Sequence, residues 1–165
     1  MTDLILKTDL LSNLESGLVE RLKVFLPSPY YIAPFPNEPE QFDMARMKAV
    51  CLVHYSGSRY SKPTDQIRQV RELQFTLALY VYALRGGAED ERLAAYGTIE
   101  LIRKAAQNVR LDGCKPFYLV SDQMVGQQAG RWDWQIDIAC ETVAVAAEHN
   151  IPRPRYPLNS ARQED

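Results

Sequence analysis

Histidine and cysteine are scarce in this chain, and it has no excess of positive charge. Its 165 residues include two histidines and three cysteines, and 19 basic residues face 21 acidic ones for a net charge of -2. No spacing of these residues resembles a metal site or a redox pair, so we expect neither a metal nor a cofactor. Proteins that bind duplex nucleic acid are usually basic, so this balance does not favour that class.

Long apolar runs are also missing. No stretch approaches the roughly 20 apolar residues of a membrane span, and the first residues carry acid early, so we expect neither a membrane segment nor a secretory signal. Hydrophobic residues make up 46% and charged residues 24% of the chain, an ordinary globular balance. We predict a single domain over residues 1–149, followed by a proline-rich tail over 150–165 that is an arm or disordered.

The three cysteines fit a reducing compartment. Cys51 and Cys140 lie inside apolar, strand-like runs, and buried reduced thiols are the simplest interpretation. Cys114 follows a turn signal and has no recognisable base partner, so a plain thiol is favoured over a nucleophile.

The stretch Arg71–Leu84 has the period of a strand. Every second residue is apolar, and the residues between are mixed and end in Tyr80 and Tyr82. The apolar positions are Leu73, Phe75, Leu77, Leu79 and Val81. This pattern predicts a central strand of an antiparallel sheet.

Three further strands are predicted, and they complete two hairpins. They cover Arg46–Ser56, Lys115–Val125 and Arg131–Ala147, the last with clean alternation of apolar and polar residues. We expect Gly57–Gln69 to be a long, mobile, basic hairpin tip and Ser121–Gly130 to be a turn region.

Two amphipathic helices are predicted over Asp9–Leu26 and Glu89–Asn108. The stripe of the first is Leu10, Leu14, Leu18, Leu22, Phe25 and Leu26. That of the second is Leu93, Ala94, Gly97, Leu101, Ile102 and Ala105. Tyr30–Asp43 contains three prolines and is limited to an edge or a crossing arm. The prediction is an α+β fold: an antiparallel sheet of two hairpins, two helices packed on one face, an extended N-terminal arm segment and a C-terminal tail.

Catalytic candidates are few. Asp133, Asp137 and Glu141 fall on one face of the last strand, where carboxylates could do acid–base or metal chemistry. A solvated face, or one turned to a lumen or an interface, is the commoner arrangement, and we favour it. His54 has no motif partner, so an exposed or structurally satisfied histidine is favoured over a catalytic one.

Aromatic residues are the more unusual feature, because tyrosine and tryptophan are enriched where proteins meet proteins. For the two tryptophans, filling the core is an equally good interpretation. The candidate interface residues, which also include the basic tip, are Tyr30, Tyr31, Arg59, Tyr60, Lys62, Arg68, Tyr80, Tyr82, Trp132 and Trp134.

Five segments together resemble a known family. They are the leucine-rich first helix, Tyr-Tyr-Ile-Ala-Pro-Phe-Pro, a strand ending in Val-His-Tyr-Ser-Gly-Ser, Leu-Gln-Phe-Thr-Leu-Ala-Leu, and Trp-Asp-Trp-Gln-Ile-Asp-Ile. Their order resembles that of the Mu-like tail-terminator family of contractile-tailed bacteriophages and tailocins, over residues 9–147. The tail after Asn150 lies outside the resemblance.

The resemblance implies a small α+β protein with no catalytic motif. It would cap the finished tail tube as a ring, commonly of six copies, and dock the head-completion proteins. Expected partners are further copies of itself, the tail tube, the neck or head-completion protein and, as a further candidate, the sheath, with DNA only as passing cargo and no membrane. Its place would be the virion tail, assembled in the host cytoplasm. Two alternatives stay open: an adaptor that binds a partner along a sheet edge, and a small enzyme using the three acids.

Overall fold

The computed structural model describes residues 9–26, 30–36, 49–82, 88–128 and 130–147. The predicted tail over 150–165 lies outside these residues, as does the second half of the predicted arm, residues 37–43. The elements in order are helix α1 (Leu10–Phe25), strands β1 (Tyr30–Pro34), β2 (Ala49–Tyr60) and β3 (Arg68–Tyr82), helix α2 (Ala88–Ala106), and strands β4 (Tyr118–Gln128) and β5 (Arg131–Val145). In this part of the chain, no helix is both long and apolar enough to cross a membrane.

One five-stranded sheet, ordered β1-β2-β3-β5-β4, carries the fold. β1 pairs with β2 in parallel, and the other neighbouring pairs are antiparallel. The prolines correctly predicted that β1 lies at an edge. The predicted α+β class, with two hairpins and two helices on one face, is confirmed.

The apolar side of β3 forms the centre of the core. Its alternating residues from Leu73 to Val81 are at most 3% exposed, as the period-two pattern predicted. They face α1 through Leu14, Leu18 and Leu22. β5 adds Ile136, Ile138 and Cys140 on the same face, in register with β3.

Helix α1 begins and ends close to the prediction. Asp9 is its N-cap, and its side chain accepts a hydrogen bond from the Ser12 amide at 2.8 Å. Phe25 is 63% exposed and does not join the buried stripe, whereas Val19 does. The predicted stripe is therefore wrong at Phe25, which lies on the outer side of the last turn, whereas Leu26 is buried as predicted.

Helix α2 buries both small and larger apolar residues, among them Ala95 and Ile99. Of its predicted stripe, Ile102 and Ala105 are buried, whereas Leu93, Ala94, Gly97 and Leu101 are exposed, contrary to the prediction. The helix is followed by Asn108, whose φ of 62° lies in the left-handed region common just after helix ends.

Two predicted loops are strands instead. Gly57–Tyr60 continues β2 past a bulge at Gly57 (φ 141°), and only residues 61–67 form the hairpin tip. β4 runs on to Gln128, with irregularities near Val120 and Val125. In both strands the bulges break the alternation of polar and apolar residues, and the polar residues are held by pairing with the neighbouring strand.

Candidate interaction surface

The sheet face opposite the helices gathers the predicted acids. The register of β3 and β5 sets Tyr80 opposite Asp133, Thr76 opposite Asp137 and Glu72 opposite Glu141. We call this side of the sheet the polar face. The three acids of β5 therefore do share one face, as the sequence predicted, but each has its own partners.

Asp133 is held by an arginine at one end of the polar face. Arg131 donates to both carboxylate oxygens, with Nε to Oδ1 at 2.6 Å and Nη2 to Oδ2 at 2.8 Å. Its guanidinium also lies 5.3 Å from the centre of the Tyr80 ring, which is cation–π range. Tyr82 is paired with Arg131 in the register, and burial raises the pKa of its hydroxyl. This end of the face joins two predicted interface tyrosines to one rigid ion pair.

Asp137 accepts hydrogen bonds from neutral donors. Thr76 Oγ1 lies 2.8 Å from Oδ1, Ser121 Oγ lies 3.0 Å from Oδ2, and Gln135 Nε2 reaches both oxygens at 2.9 and 3.0 Å. A shallow cavity of about 310 Å³ opens beside these side chains and is also lined by Arg59. These donors hold the carboxylate in one orientation.

His54 extends this row onto β2, because it lies opposite Thr76. Its ring makes an edge contact with Phe35, with 5.3 Å between centroids. Its Nδ1 atom is buried and has no hydrogen-bond partner among the described residues. His54 is therefore neither fully exposed nor fully satisfied.

Glu72 and Glu141 are like charges placed opposite each other, and each is compensated separately. Tyr118 donates its hydroxyl to Glu72 at 2.7 Å, which lowers the pKa of the carboxyl, while burial together with this bond raises the pKa of Tyr118 to about 12. Lys115 pairs with Glu141 at 2.5 Å. The separate partners remove the repulsion that two facing carboxylates would otherwise feel.

The polar face shows little that suggests catalysis. Within the described residues, no group of three His, Cys, Asp or Glu side chains is arranged to hold a metal ion. Asp133, Asp137 and Glu141 are each engaged by hydrogen bonds or ion pairs. Cys114 is half-buried and its Sγ lies 3.8 Å from the Leu111 carbonyl oxygen, while burial raises its pKa, which opposes a nucleophilic role.

The basic tip is more ordered than the sequence suggested. Arg59 and Tyr60 lie on β2, where Tyr60 stacks near the Arg71 guanidinium at 5.8 Å. Within the loop, Asp65 accepts from the Ile67 and Arg68 amides at 2.7 and 2.6 Å. Arg59, Tyr60, Lys62 and Arg68 are all exposed, so the structure brings this predicted set together at one end of the sheet.

The tryptophans lie on the helix side of the sheet. Trp134 packs against the main core, and Trp132 packs with Tyr30 against Ala49, Val81 and Ala95. Tyr31 falls opposite Val50. The structure thus separates the predicted aromatic set into Tyr80 and Tyr82 on the polar face and Trp132, Trp134 and Tyr30 beside the helices.

The sequence predicted a strand over Lys115–Val125, but not that this strand, β4, continues to Gln128 and forms an edge of the sheet. It spans 11 residues at the end of the sheet, and nearly all of them are exposed. Its large apolar side chains Val120, Met124 and Val125 are 49%, 50% and 64% exposed. One feature of the sequence could have indicated an edge that is covered by a partner: the run from Tyr118 to Gln128 has a single charge, Asp122. So few charges are unusual for an edge strand exposed to solvent.

The comparisons with known proteins give a structural likeness and a family. The chain is similar to one chain in the solved structure "Virion of native gene transfer agent (GTA) particle", with 12% identity, a TM-score of 0.48, and coverage of 81% of this chain and 96% of that one. None of the curated proteins matches. The family model described as "Gp37 protein" matches residues 18–160, a range that takes in all five strands and both sides of the sheet. The chain therefore belongs to the Gp37 protein family.

Proposed function

We propose that this chain is a virion structural protein, and specifically a phage tail terminator. In this role it caps the tail tube as a ring, ends its polymerisation and forms the interface to the neck or head-completion proteins. It acts without catalysis or a cofactor. Its partners are further copies of itself, the tube and the neck protein, with the sheath as a further candidate.

The role in the tail is supported by the five segments that resemble tail terminators. They fall on α1, β1, β2, β3 and β5, so they cover the first helix and four strands that are neighbours in the sheet. The resemblance therefore covers one connected part of the fold.

The ring is supported by the free edge of β4, which is the observation that carries the proposal. Within the described parts of the chain, β4 and β1 lie at opposite ends of the sheet, no strand pairs with the outer edge of β4, and apolar side chains of β4 are exposed. A contact between two different edges is heterologous, and repeated heterologous contacts close into a ring when the rotation allows. Natural proteins usually protect such an edge with charges or prolines, and covering it with a neighbouring copy serves the same purpose.

The polar face suits a surface beside passing DNA. Arg131 and Lys115 are each paired to an acid, and Arg59, which has no ion pair among the described residues, lies opposite Glu72 and beside Asp137. A surface on which cations lie next to carboxylates gives DNA phosphates little to bind. The acids Asp133, Asp137 and Glu141 are therefore our candidates for the lumen or for a subunit interface.

The test is a single charge on the β4 edge. Val125→Lys should prevent ring formation, measured by mass in solution and by electron microscopy with purified tube protein, and tubes should then exceed their normal length. Val24→Lys is the matched control, because Val24 is 75% exposed and lies on helix α1, not on the β4 edge. A wild-type protein that stays monomeric even with excess tube protein would refute the ring.

The adaptor is the second candidate, and the same free edge supports it. A monomer that binds the tube along β4 without limiting its length would favour the adaptor over the terminator. β-Strand addition along the edge would then be the binding mode.

A further inference from the structure

A basic groove lies at the C-terminal ends of the two helices. It has a volume of about 450 Å³ and runs between the last turns of α1 and the end of α2. Its main lining residues are Arg21, Phe25, Lys104, Asn108 and Arg110, and we call it the basic groove. It is far in the fold from the polar face, because the helices cover the other side of the sheet.

The cations of the basic groove have no direct ion pair among the described residues, although Lys104 lies near enough to Glu100 to help lower the pKa of that carboxyl. Acids on the neighbouring helix turns are already used: Glu20 pairs with Lys23 at 3.1 Å and Glu100 with Arg103 at 3.0 Å. Among the described residues, none of Arg21, Lys104 and Arg110 has an ion-pair partner, and no acid lines the groove. Three cations thus line one concave site in a chain whose net charge is -2.

The floor of the groove is rigid. The Asn108 amide donates to the Phe117 carbonyl at 2.9 Å, and the Phe117 amide donates to Val109 at 2.9 Å. Phe117 is itself only 1% exposed, so this segment is tied to the core. A preformed site loses little conformational entropy when a ligand binds.

Phe25 gives the groove an apolar element. Phe25 is 63% exposed, whereas Leu14, Leu18 and Leu22 of the same helix are fully buried. An exposed aromatic beside cations suits a ligand that carries an apolar side chain next to carboxylates.

We propose that the basic groove binds an acidic peptide segment of a partner protein, with an apolar side chain of that segment on Phe25. A protein ligand is favoured over nucleic acid because three cations in one small groove fall short of the roughly 6–10 phosphate contacts of typical duplex binders. The inference goes beyond the proposed function and concerns a surface that the ring contact through β4 does not use.

The test uses the synthetic peptide acetyl-Glu-Glu-Leu-Glu-Glu-amide and the whole protein, with binding followed by NMR shifts and titration. Changing Arg21, Lys104 and Arg110 together to Gln should weaken binding about tenfold or more, equivalent to about 1.4 kcal/mol. The matched control changes three tip cations, Arg59, Lys62 and Arg68, to Gln. It removes the same charge and should leave the affinity within about twofold, because rim charges far from a site act mainly through screened long-range attraction.

Phe25→Ser separates the apolar part of the site from its charge. It should weaken binding of the leucine peptide but not of an all-glutamate peptide of equal length, while an unchanged melting temperature shows that the fold is intact. Equal losses in the groove and tip variants would overturn the proposal, as would peptide shifts that map elsewhere. Tighter binding of a short DNA duplex, lost in the groove variant, would also overturn it. Failure here leaves the tube-length test of the proposed function unaffected.

Discussion

Replacing Asp137 by Ala tests whether the polar face depends on one carboxylate. Asp137 accepts from Thr76 on β3, Ser121 on β4 and Gln135 on its own strand. Its removal leaves these three donors without their acceptor. Only Thr76 is buried, at 5% exposed, so Ser121 and Gln135 can turn to water whereas the Thr76 hydroxyl cannot.

The size of the effect follows from that difference. A buried donor left unsatisfied costs about 1–3 kcal/mol, and we expect a loss of about 2 kcal/mol in the free energy of unfolding. For a chain of this length each kcal/mol lowers the melting temperature by about 2–4 °C, so Asp137→Ala should lower it by about 4–8 °C. Thr76→Val in the same background removes the stranded hydroxyl and should recover about 1 kcal/mol.

The assay is urea unfolding followed by circular dichroism on Asp137→Ala, Thr76→Val and the double variant. Asp122→Ala is the control, because Asp122 is exposed on β4, and it should change stability by less than about 0.5 kcal/mol. Losses that simply add in the double variant would refute the reasoning, because the cost would then not come from the stranded Thr76 hydroxyl.

Three further predictions concern the tip and the edge. Changing Arg59, Lys62 and Arg68 together to Ser should leave the melting temperature unchanged but impair termination of the tube. Exposed charges contribute about 0–1 kcal/mol each to stability and act mainly in docking. Normal tube lengths with this variant would show that the tip takes no part in termination. Hydrogen exchange should show protected amides in Gly57–Tyr60 and faster exchange in 61–67, because Gly57–Tyr60 pair continuously with β3, whereas in the tip single amides such as those of Ser61 and Thr64 donate to it. Tyr118→Phe should raise the pKa of Glu72 toward its ordinary value, which NMR titration can measure. Because the Glu72 carboxyl has a lower pKa in the folded protein, it stabilises the fold above its unfolded pKa, and this stabilisation is lost as the pH falls through its folded pKa. The variant should therefore lose less stability than the wild type over that acidic range.

The sequence predicted the centre of the fold best. The alternation around Phe75 and Ile138 is strong because both strands bury one face against helices, so local pattern and tertiary packing agree. The three prolines near β1 predicted an edge because proline cannot donate to a neighbouring strand. Where burial decides the pattern, the sequence is sufficient.

The prediction was wrong where strands continue beyond the core. Gly57–Tyr60 and the second half of β4 are polar and carry bulges, so nothing in their local pattern distinguishes a strand from a loop. Their conformation comes from pairing with β3 and β5. The local pattern of residues in one sequence carries no information about that pairing. The exposed Leu93 and Leu101 have the same explanation, because the side of α2 that meets the sheet is set by tertiary contacts.

The candidate surfaces were partly visible. Alternation in β5 placed Asp133, Asp137 and Glu141 on one face, but not their partners, since Thr76 lies 61 residues from Asp137 in the chain. The basic groove was not visible at all, because Arg21 and Arg110 come from separate segments. Their convergence depends on how two helices end against one sheet.

The long pairing between β3 and β5 also determines how the protein folds. Each of the two hairpins, β2–β3 and β4–β5, is local and closes a short loop, whereas β3 and β5 pair over 15 residues each and belong to different hairpins. Contacts between distant parts of a chain form late and slow the folding reaction. Substitutions in the hairpins' outer strands should therefore mainly speed unfolding, while those between β3 and β5 determine whether the two halves unfold as one cooperative unit.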